Sequence, residues 1–299
     1  MVDELDDLLR RLEASLAPMR GAPRELDGGI TNRNFLVTFG DDDYVVRRPG
    51  KDTELLGIDR AAERLANEAA ARLGIAPAVA AALDDCLVTR FVDCEPIVAG
   101  ELAERAEELA RGLRAFHDSG VQLPTRFYVP ALLDGYAAIV RERGGVVPAE
   151  YDDAILAAAR ICDAVAPASL RPCHNDLLAG NVIRAREDGR LVIVDWEYAG
   201  MGDPRFDLGN LSVNNEFAET TDERLLRAYY GEPPSDARRA ALKLMRVLSD
   251  AREAAWGVVQ TAISELDFDF AAYAQKHFER LRATVAQPQF EQWLVSAGA

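Results

Sequence analysis

Leu5, Leu8, Leu9, Leu12 and Leu16 recur at three- and four-residue steps, the spacing of one helix face, and Pro18 ends the run. The period then shortens to two. Phe35, Val37 and Phe39 fall on one face of a strand over Asn34–Phe39, and Tyr44–Arg48 is a second short run. Gly40-Asp41-Asp42-Asp43 between them supplies turn residues, so an antiparallel hairpin is predicted. Ile58–Leu73, rich in Ala, Glu and Arg, reads as a helix stopped by Gly74 and Pro77, and Leu87–Val92 as a third strand.

Beyond Asp93 the pattern turns helical. Leu102, Ala106, Leu109, Leu113 and Phe116 share a face of Glu101–Phe116, and Asp134–Arg143 and Tyr151–Val165 continue in the same manner. Two short strands, Asn181–Arg184 and Leu191–Asp195, interrupt them around a turn at Glu187-Asp188-Gly189. The remainder is mostly helical, with breaks at Pro233-Pro234 and Gln287-Pro288. The expected class is α+β: a small antiparallel-sheet lobe over residues 1–92, a connector near 89–95, and a larger, mainly helical lobe over 93–299.

Composition narrows the partners. The 299 residues carry 34 Lys+Arg against 50 Asp+Glu, a net charge of −16. So acidic a chain is a poor ligand for nucleic acid or an anionic membrane, whose affinity comes from neutralising phosphates. No apolar run is long enough to span a bilayer. Cys86, Cys94, Cys162 and Cys173 are scattered, without metal or redox spacing, and the start at Met1-Val2-Asp3-Glu4 is acidic. A cytoplasmic protein is expected, and a homodimer is compatible with the sequence.

The stretch Cys173-His174-Asn175-Asp176-Leu177-Leu178-Ala179-Gly180-Asn181, followed by Val194-Asp195-Trp196-Glu197, carries the chemistry. Asp176 can accept the proton of an attacking hydroxyl. Asn181 and Asp195 are hard oxygen donors of the kind Mg2+ prefers, and the strand hairpin between them brings them to neighbouring strand ends. Singly, Asp176 or Asn181 would only cap a loop; jointly they suit phosphoryl transfer. Asp41-Asp42-Asp43 lacks the spacing of a calcium loop and reads as a solvated hairpin tip. His117 reads as a core or capping residue and His277 as a surface one.

With these residues in view the chain resembles the choline/ethanolamine kinase family, within the aminoglycoside phosphotransferase superfamily of protein-kinase-like, two-lobe fold. The likeness is carried by His174-x-Asp176-x-x-x-x-Asn181, by Asp195-Trp196-Glu197-Tyr198 and by Phe206-Asp207-Leu208-Gly209-Asn210. The run from Trp256 through Gln260, Ile263-Ser264 and Leu266-Asp267-Phe268 to Tyr273-Ala274 and Phe278 is similar to the choline-type branch. The resemblance implies an enzyme that uses ATP and Mg2+, with Asp176 as base and Asn181 and Asp195 as metal ligands. His174 and Asp207 would hold the catalytic loop, and Glu197 would assist a second metal ion or the substrate.

It also implies a nucleotide site at Gly28, Gly29, Thr31 and Asn32. Arg47 would lie on the phosphates, and Glu63 or, alternatively, Glu68 would pair with it. Thr89 to Val92 would meet adenine. For a cationic alcohol, Trp256, Phe268 and Tyr273 supply aromatic faces and Glu216 an anion. Glu253 stands where the branch commonly carries another aromatic, which favours an amine able to donate hydrogen bonds over choline. The other readings are phosphorylation of an aminoglycoside, thiamine or another amine-bearing alcohol, and a catalytically silent nucleotide-binding protein. Little room between Asp195 and Asp203-Pro204 for a long activation segment disfavours a protein kinase.

Overall fold

The computed structural model describes residues 2–26, 32–50, 52–83, 86–95, 97–98, 100–166 and 168–298. Helix α1 (Val2–Ser15) buries Leu8, Leu9 and Leu12 against Phe35, Val37, Phe39 and Val46 of a five-stranded sheet. The strands are β1 (Met19–Leu26), β2 (Asn32–Phe39), β3 (Asp42–Pro49), β4 (Val79–Leu83) and β5 (Cys86–Arg90). They run antiparallel in the order β1-β2-β3-β5-β4. The β2–β3 hairpin turns at Gly40-Asp41, where Gly40 has φ 63°, a left-handed conformation that glycine adopts without strain.

The two edge strands, β1 and β4, carry no period-two signal. Gly21 and Pro23 interrupt β1, whose register shifts between Arg20 and Arg24, and β4 is short and alanine-rich. Gly and Pro belong to edges and bulges, so these segments become strands by pairing with β2 and β5 and not by their own pattern.

Helix α2 (Arg60–Arg72) starts where the Asp59 carboxylate accepts from Ala62 N at 2.8 Å, and ends before Gly74 at φ 76°. Its alanines 62, 66, 69 and 70 join a second core with Leu109, Leu113 and Phe116. Beyond it come β6 (Cys94–Glu95), α3 (Glu101–Glu104), α4 (Ala106–His117), α5 (Val129–Glu142) and α6 (Glu150–Ala164). The helix expected over 101–116 is thus divided at Arg105, and α5 begins five residues earlier than expected, with Pro130 in its first turn.

Strands β7 (Arg171–Cys173), β8 (Val182–Ala185), β9 (Leu191–Ile193) and β10 (Gly200–Gly202) form small ladders, β6-β8-β9 and β10-β7. Helices α7 (Pro204–Asn214), α8 (Glu219–Tyr230), α9 (Asp236–Ile263), α10 (Phe270–Val285) and α11 (Pro288–Ala297) complete the chain. The result is an α+β, two-lobe kinase-like architecture. Among the described residues no helix is long and apolar enough to cross a membrane.

Helix α9, at 28 residues, organises the third core and packs closely on two neighbours through glycine. A Cβ on Gly209 of α7 would stand 2.5 Å from Met245 Cβ and 2.6 Å from its carbonyl carbon, and one on Gly257 would stand 2.9 Å from Ala274 Cβ of α10. Gly209→Ala is therefore expected to lower stability by about 1–3 kcal/mol through overpacking. Denaturant unfolding reads this as a lower midpoint; an unchanged midpoint would contradict the close α7–α9 contact.

Candidate active site

The segment after β7 has no sheet ladder of its own and hangs on Asp207 of α7, which is 0 % exposed. His174 N donates to Oδ2 at 2.8 Å, Asn175 N to Oδ1 at 2.7 Å, and the His117 ring nitrogen Nε2 to Oδ2 at 3.0 Å. These donors let Asn175 hold φ 69°, and its side chain donates to Tyr198 O at 2.9 Å. Burial opposes the Asp207 charge, but the His117 ring and the His174 backbone outweigh it and hold the carboxyl below the usual aspartate value.

His174 is placed by the same means. Its Nε2–H donates to Val194 O at 3.0 Å, its Nδ1 accepts from Asp176 N at 3.2 Å, and burial lowers its pKa, so it is a neutral ring with a defined tautomer. Trp196 packs edge-on against it at 4.6 Å. His117 is a buried member of this network, as its place at the end of an amphipathic run suggests.

Held in this way, Asp176 faces a cleft of about 650 Å³. Its Oδ2 accepts from Asn181 Nδ2 at 2.9 Å and its Oδ1 from Arg252 Nη1 at 3.0 Å. Burial, opposed by Arg252 and reinforced by Glu253, Asp195 and Glu197, pushes its carboxyl up to about 7. Asp195 follows β9 with φ 64° and lines the same cleft with Asn181. From Asp195 to Asp203 the chain is taken up by a short 3-10 turn (Trp196–Tyr198) and β10, which pairs with β7.

On the sheet side, Arg47 of β3 donates to Glu63 of α2 at 3.0 Å and also to Asp195. Burial opposes its charge, yet Asp195, Glu197 and Glu63 together raise its pKa. Geometry decides between the two candidate carboxylates: Glu63 is buried and grips Arg47 and Arg60, whereas Glu68 pairs with Arg64 on a solvated face. Glu197 accepts from Asn32 Nδ2 at 2.9 Å and lies 3.8 Å from Arg47. Thr89 and Val92 line the apolar end of the cleft with Val45, Leu87 and Ile183. Gly28, Gly29 and Thr31 lie outside the described residues.

At the opposite end stand Tyr198, Glu253, Trp256 and Tyr273. Trp256 Nε1 donates to the Tyr198 hydroxyl at 2.7 Å, and the Trp256 and Tyr273 rings meet edge-on at 5.4 Å. Glu253 is not the open wall its position suggested. Its carboxylate takes Arg252 at 2.9 Å on one oxygen and the Tyr273 hydroxyl at 2.7 Å on the other, and despite burial Arg252 holds its pKa low. Arg252 and Tyr198 are cleft residues that sequence reasoning missed. The signals were present: Arg252 lies one helical turn before Trp256, and Tyr198 directly follows Glu197.

Three placements correct the expectations. Glu216 lies outside the cleft, exposed at φ 53°, because α7 ends at Asn214 and Asn215 caps Leu211 O at 2.8 Å, turning the chain outward. Phe268 is 42 % exposed in the connection between α9 and α10, stacked on Phe270 and not among the cleft side chains. His277 is buried, not on the surface, with Nδ1 2.8 Å from Asp250, because its face of α10 packs on α9.

A buried carboxylate on a tethered loop, bonded to an amide and sharing a cleft with a second carboxylate, is the arrangement expected of an ATP-dependent phosphotransferase. Residues 23–242 match the phosphotransferase enzyme family. A choline/ethanolamine kinase family protein from Mesorhizobium loti superposes with a TM-score of 0.80 at 32 % identity, covering 98 % of this chain and 99 % of that one. The choline kinase LicA from Streptococcus pneumoniae shares the fold, with a TM-score of 0.79 at 24 % identity over 95 % of this chain and 99 % of its own. Ethanolamine kinase 1 of Mus musculus is 25 % identical over 91 % of this chain and 86 % of its own length. The chain belongs to the choline/ethanolamine kinase family within the phosphotransferase enzyme family.

Asp207→Asn replaces an anion that accepts from three donors by a group with one acceptor oxygen. A loss of about 1–3 kcal/mol in unfolding free energy is expected, with a lower kcat and an unchanged nucleotide Kd by calorimetry. Full turnover in that variant would contradict its role as the anchor of the loop.

Proposed function

We propose that this protein transfers the γ-phosphoryl group of ATP, with Mg2+, to the hydroxyl of a small cationic amino alcohol of the choline/ethanolamine type, the class named for its relatives. The observation that carries the reading is Asp176, set between Asn181 on one side and the Trp256–Tyr273–Glu253 pocket on the other within a single cleft. The acceptor oxygen attacks the γ-phosphorus, Asp176 takes its proton, and the bond to the β–γ bridging oxygen breaks to release ADP. His174 and Asp207 act through Asp176 by fixing its loop.

The donors present suit magnesium. Asn181 turns its Nδ2 to Asp176, which leaves the amide oxygen for a metal, and Asp195 adds a carboxylate, both hard oxygen ligands. Bound there, the ion would neutralise charge on the β- and γ-phosphates. Arg47, held by Glu63, would grip phosphate oxygens. Adenine would lie between Val45, Leu87, Ile183 and the Thr89–Val92 connector. This assigns residues 1–92 to the nucleotide and 93–299 to catalysis and acceptor binding. The acidic charge and the scattered cysteines, without metal or redox spacing, fit a cytoplasmic enzyme.

ADP release with Mg-ATP across choline, ethanolamine and its N-methyl derivatives, thiamine and aminoglycosides tests the reading. Turnover with at least one of the small amino alcohols, abolished by EDTA, is expected; turnover confined to the other two classes, or none at all, would overturn it. Asp176→Asn should lower kcat by roughly 10²–10⁴ while ATP still binds, and near-parental turnover would remove Asp176 from the role of base.

A further inference from the structure

Asp207 fixes the backbone of the loop that carries Asp176, and the side chain of Asp176 is held separately. A carboxylate sits on a terminal torsion with broad preferences, so one hydrogen bond leaves its plane free to turn. Asn181 supplies one bond, to Oδ2, from within the same loop. The loop from His174 to Asn181 contains no Lys or Arg. The cation that meets Oδ1 comes from α9: Arg252 Nη1 stands 3.0 Å away. Two bonds, one to each oxygen, fix the plane that a single bond leaves open.

Arg252 is held in turn by side chains at the acceptor end of the cleft. Nη1 carries two N–H groups, and Glu253 Oε1 accepts from it as well, at 2.9 Å. Glu253 Oε2 accepts from the Tyr273 hydroxyl at 2.7 Å. The guanidinium carbon lies 4.3 Å from the centre of the Tyr198 ring, whose hydroxyl accepts from Trp256 Nε1. Burial works against the Arg252 charge, but Glu253 and Asp176 outweigh it and keep the group a cation. A chain of hydrogen bonds thus runs from Tyr273 on α10 through Glu253 and Arg252 on α9 to the base.

We infer that Arg252 is a positioning residue for Asp176, and that Glu253 and the Tyr273 hydroxyl act on the reaction through it. The inference rests on the reading of Asp176 as base and gives the acceptor end two separate functions. The Trp256 and Tyr273 rings border the cleft and bind the amino alcohol in ground and transition state alike, which sets KM. The polar atoms behind them hold the base oxygen in line, which sets kcat. Asp176 and Glu253 outnumber the guanidinium they share, so this end of the cleft still suits a cationic acceptor.

The test is steady-state kinetics with Mg-ATP and whichever of ethanolamine, its N-methyl derivatives or choline the wild type uses best. Arg252→Met keeps much of the side-chain length and removes both bonds. Its kcat is expected to fall by roughly 10²-fold, the cost of a base misplaced by about 1 Å, while both KM values stay within about threefold. Arg252→Lys restores one charged donor and should recover about tenfold of that loss. Tyr273→Phe keeps the ring, but Glu253, one donor short, competes harder for the shared Nη1. Its kcat should fall by about threefold or more at an unchanged acceptor KM. A raised acceptor KM at parental kcat, in Tyr273→Phe or either Arg252 variant, would make these groups acceptor contacts and overturn the inference. Parental kinetics throughout would do the same. So would a full further loss when Arg252→Met is added to Asp176→Asn, since the guanidinium would then act on the phosphoryl group. Near-parental turnover in Asp176→Asn alone would instead remove the base reading, and the inference with it. Tyr273→Phe leaves the packing in place, so its split between kcat and KM decides even if the Arg252 variants fail to fold.

Discussion

One buried carboxylate carries the geometry of the cleft. Asp207 lies on α7 and is not among the cleft side chains, yet it accepts from His174 N, Asn175 N and the His117 ring. A loop without its own ladder needs such bonds to hold a left-handed Asn175 and an inward Asp176, and those from His174 to Val194 O and from Asn175 to Tyr198 O add to them. The helix beneath is itself fixed by close packing at Gly209 on α9, the helix that also presents Arg252, Glu253 and Trp256 to the cleft. Asp176 and the Trp256 end of the cleft therefore share one rigid support, which is what positioning-dominated catalysis requires.

Charge is the second constraint, and it is resolved locally. The chain carries −16 overall, and Asp176, Asp195, Glu197 and Glu253 converge on a single cavity. Arg47 offsets Asp195 and Glu197 from the sheet with Glu63 behind it, and Arg252 offsets Asp176 and Glu253 from α9. Arg252 holds the pKa of Glu253 low despite desolvation, whereas burial and the neighbouring carboxylates still push that of Asp176 up. The two ends of the cleft thus differ in chemistry: one sets Arg47 among Asp195, Glu197 and Glu63, the other a guanidinium and a carboxylate beside aromatic rings.

Much of this was legible in the amino-acid sequence because it is local. Asp176 and Asn181 stand five residues apart, and a short hairpin returns the chain to Asp195, so spacing alone brings them together. Glu63 could be placed opposite Arg47 only to within one helical turn or so, since Glu63 and Glu68 both lie on α2; the packing decides. Edge strands β1 and β4 were invisible because their pairing is imposed by neighbours. Glu216 and Phe268 were misplaced because each follows a helix end whose exit direction depends on capping bonds and not on residue type. Arg252 escaped notice beside Glu253 because an Arg–Glu neighbour pair on a helix ordinarily marks a solvated face, and only the burial reveals otherwise.

If Asp207 serves catalysis by placing Asp176 and by nothing else, its loss has no further effect once the base is gone. A double-mutant cycle in kcat/KM over Asp207→Asn and Asp176→Asn measures this directly. The double variant is expected to be no slower than Asp176→Asn alone, within about twofold. Effects that multiply would show that Asp207 supports the reaction independently of Asp176, and would contradict the account given for this cleft.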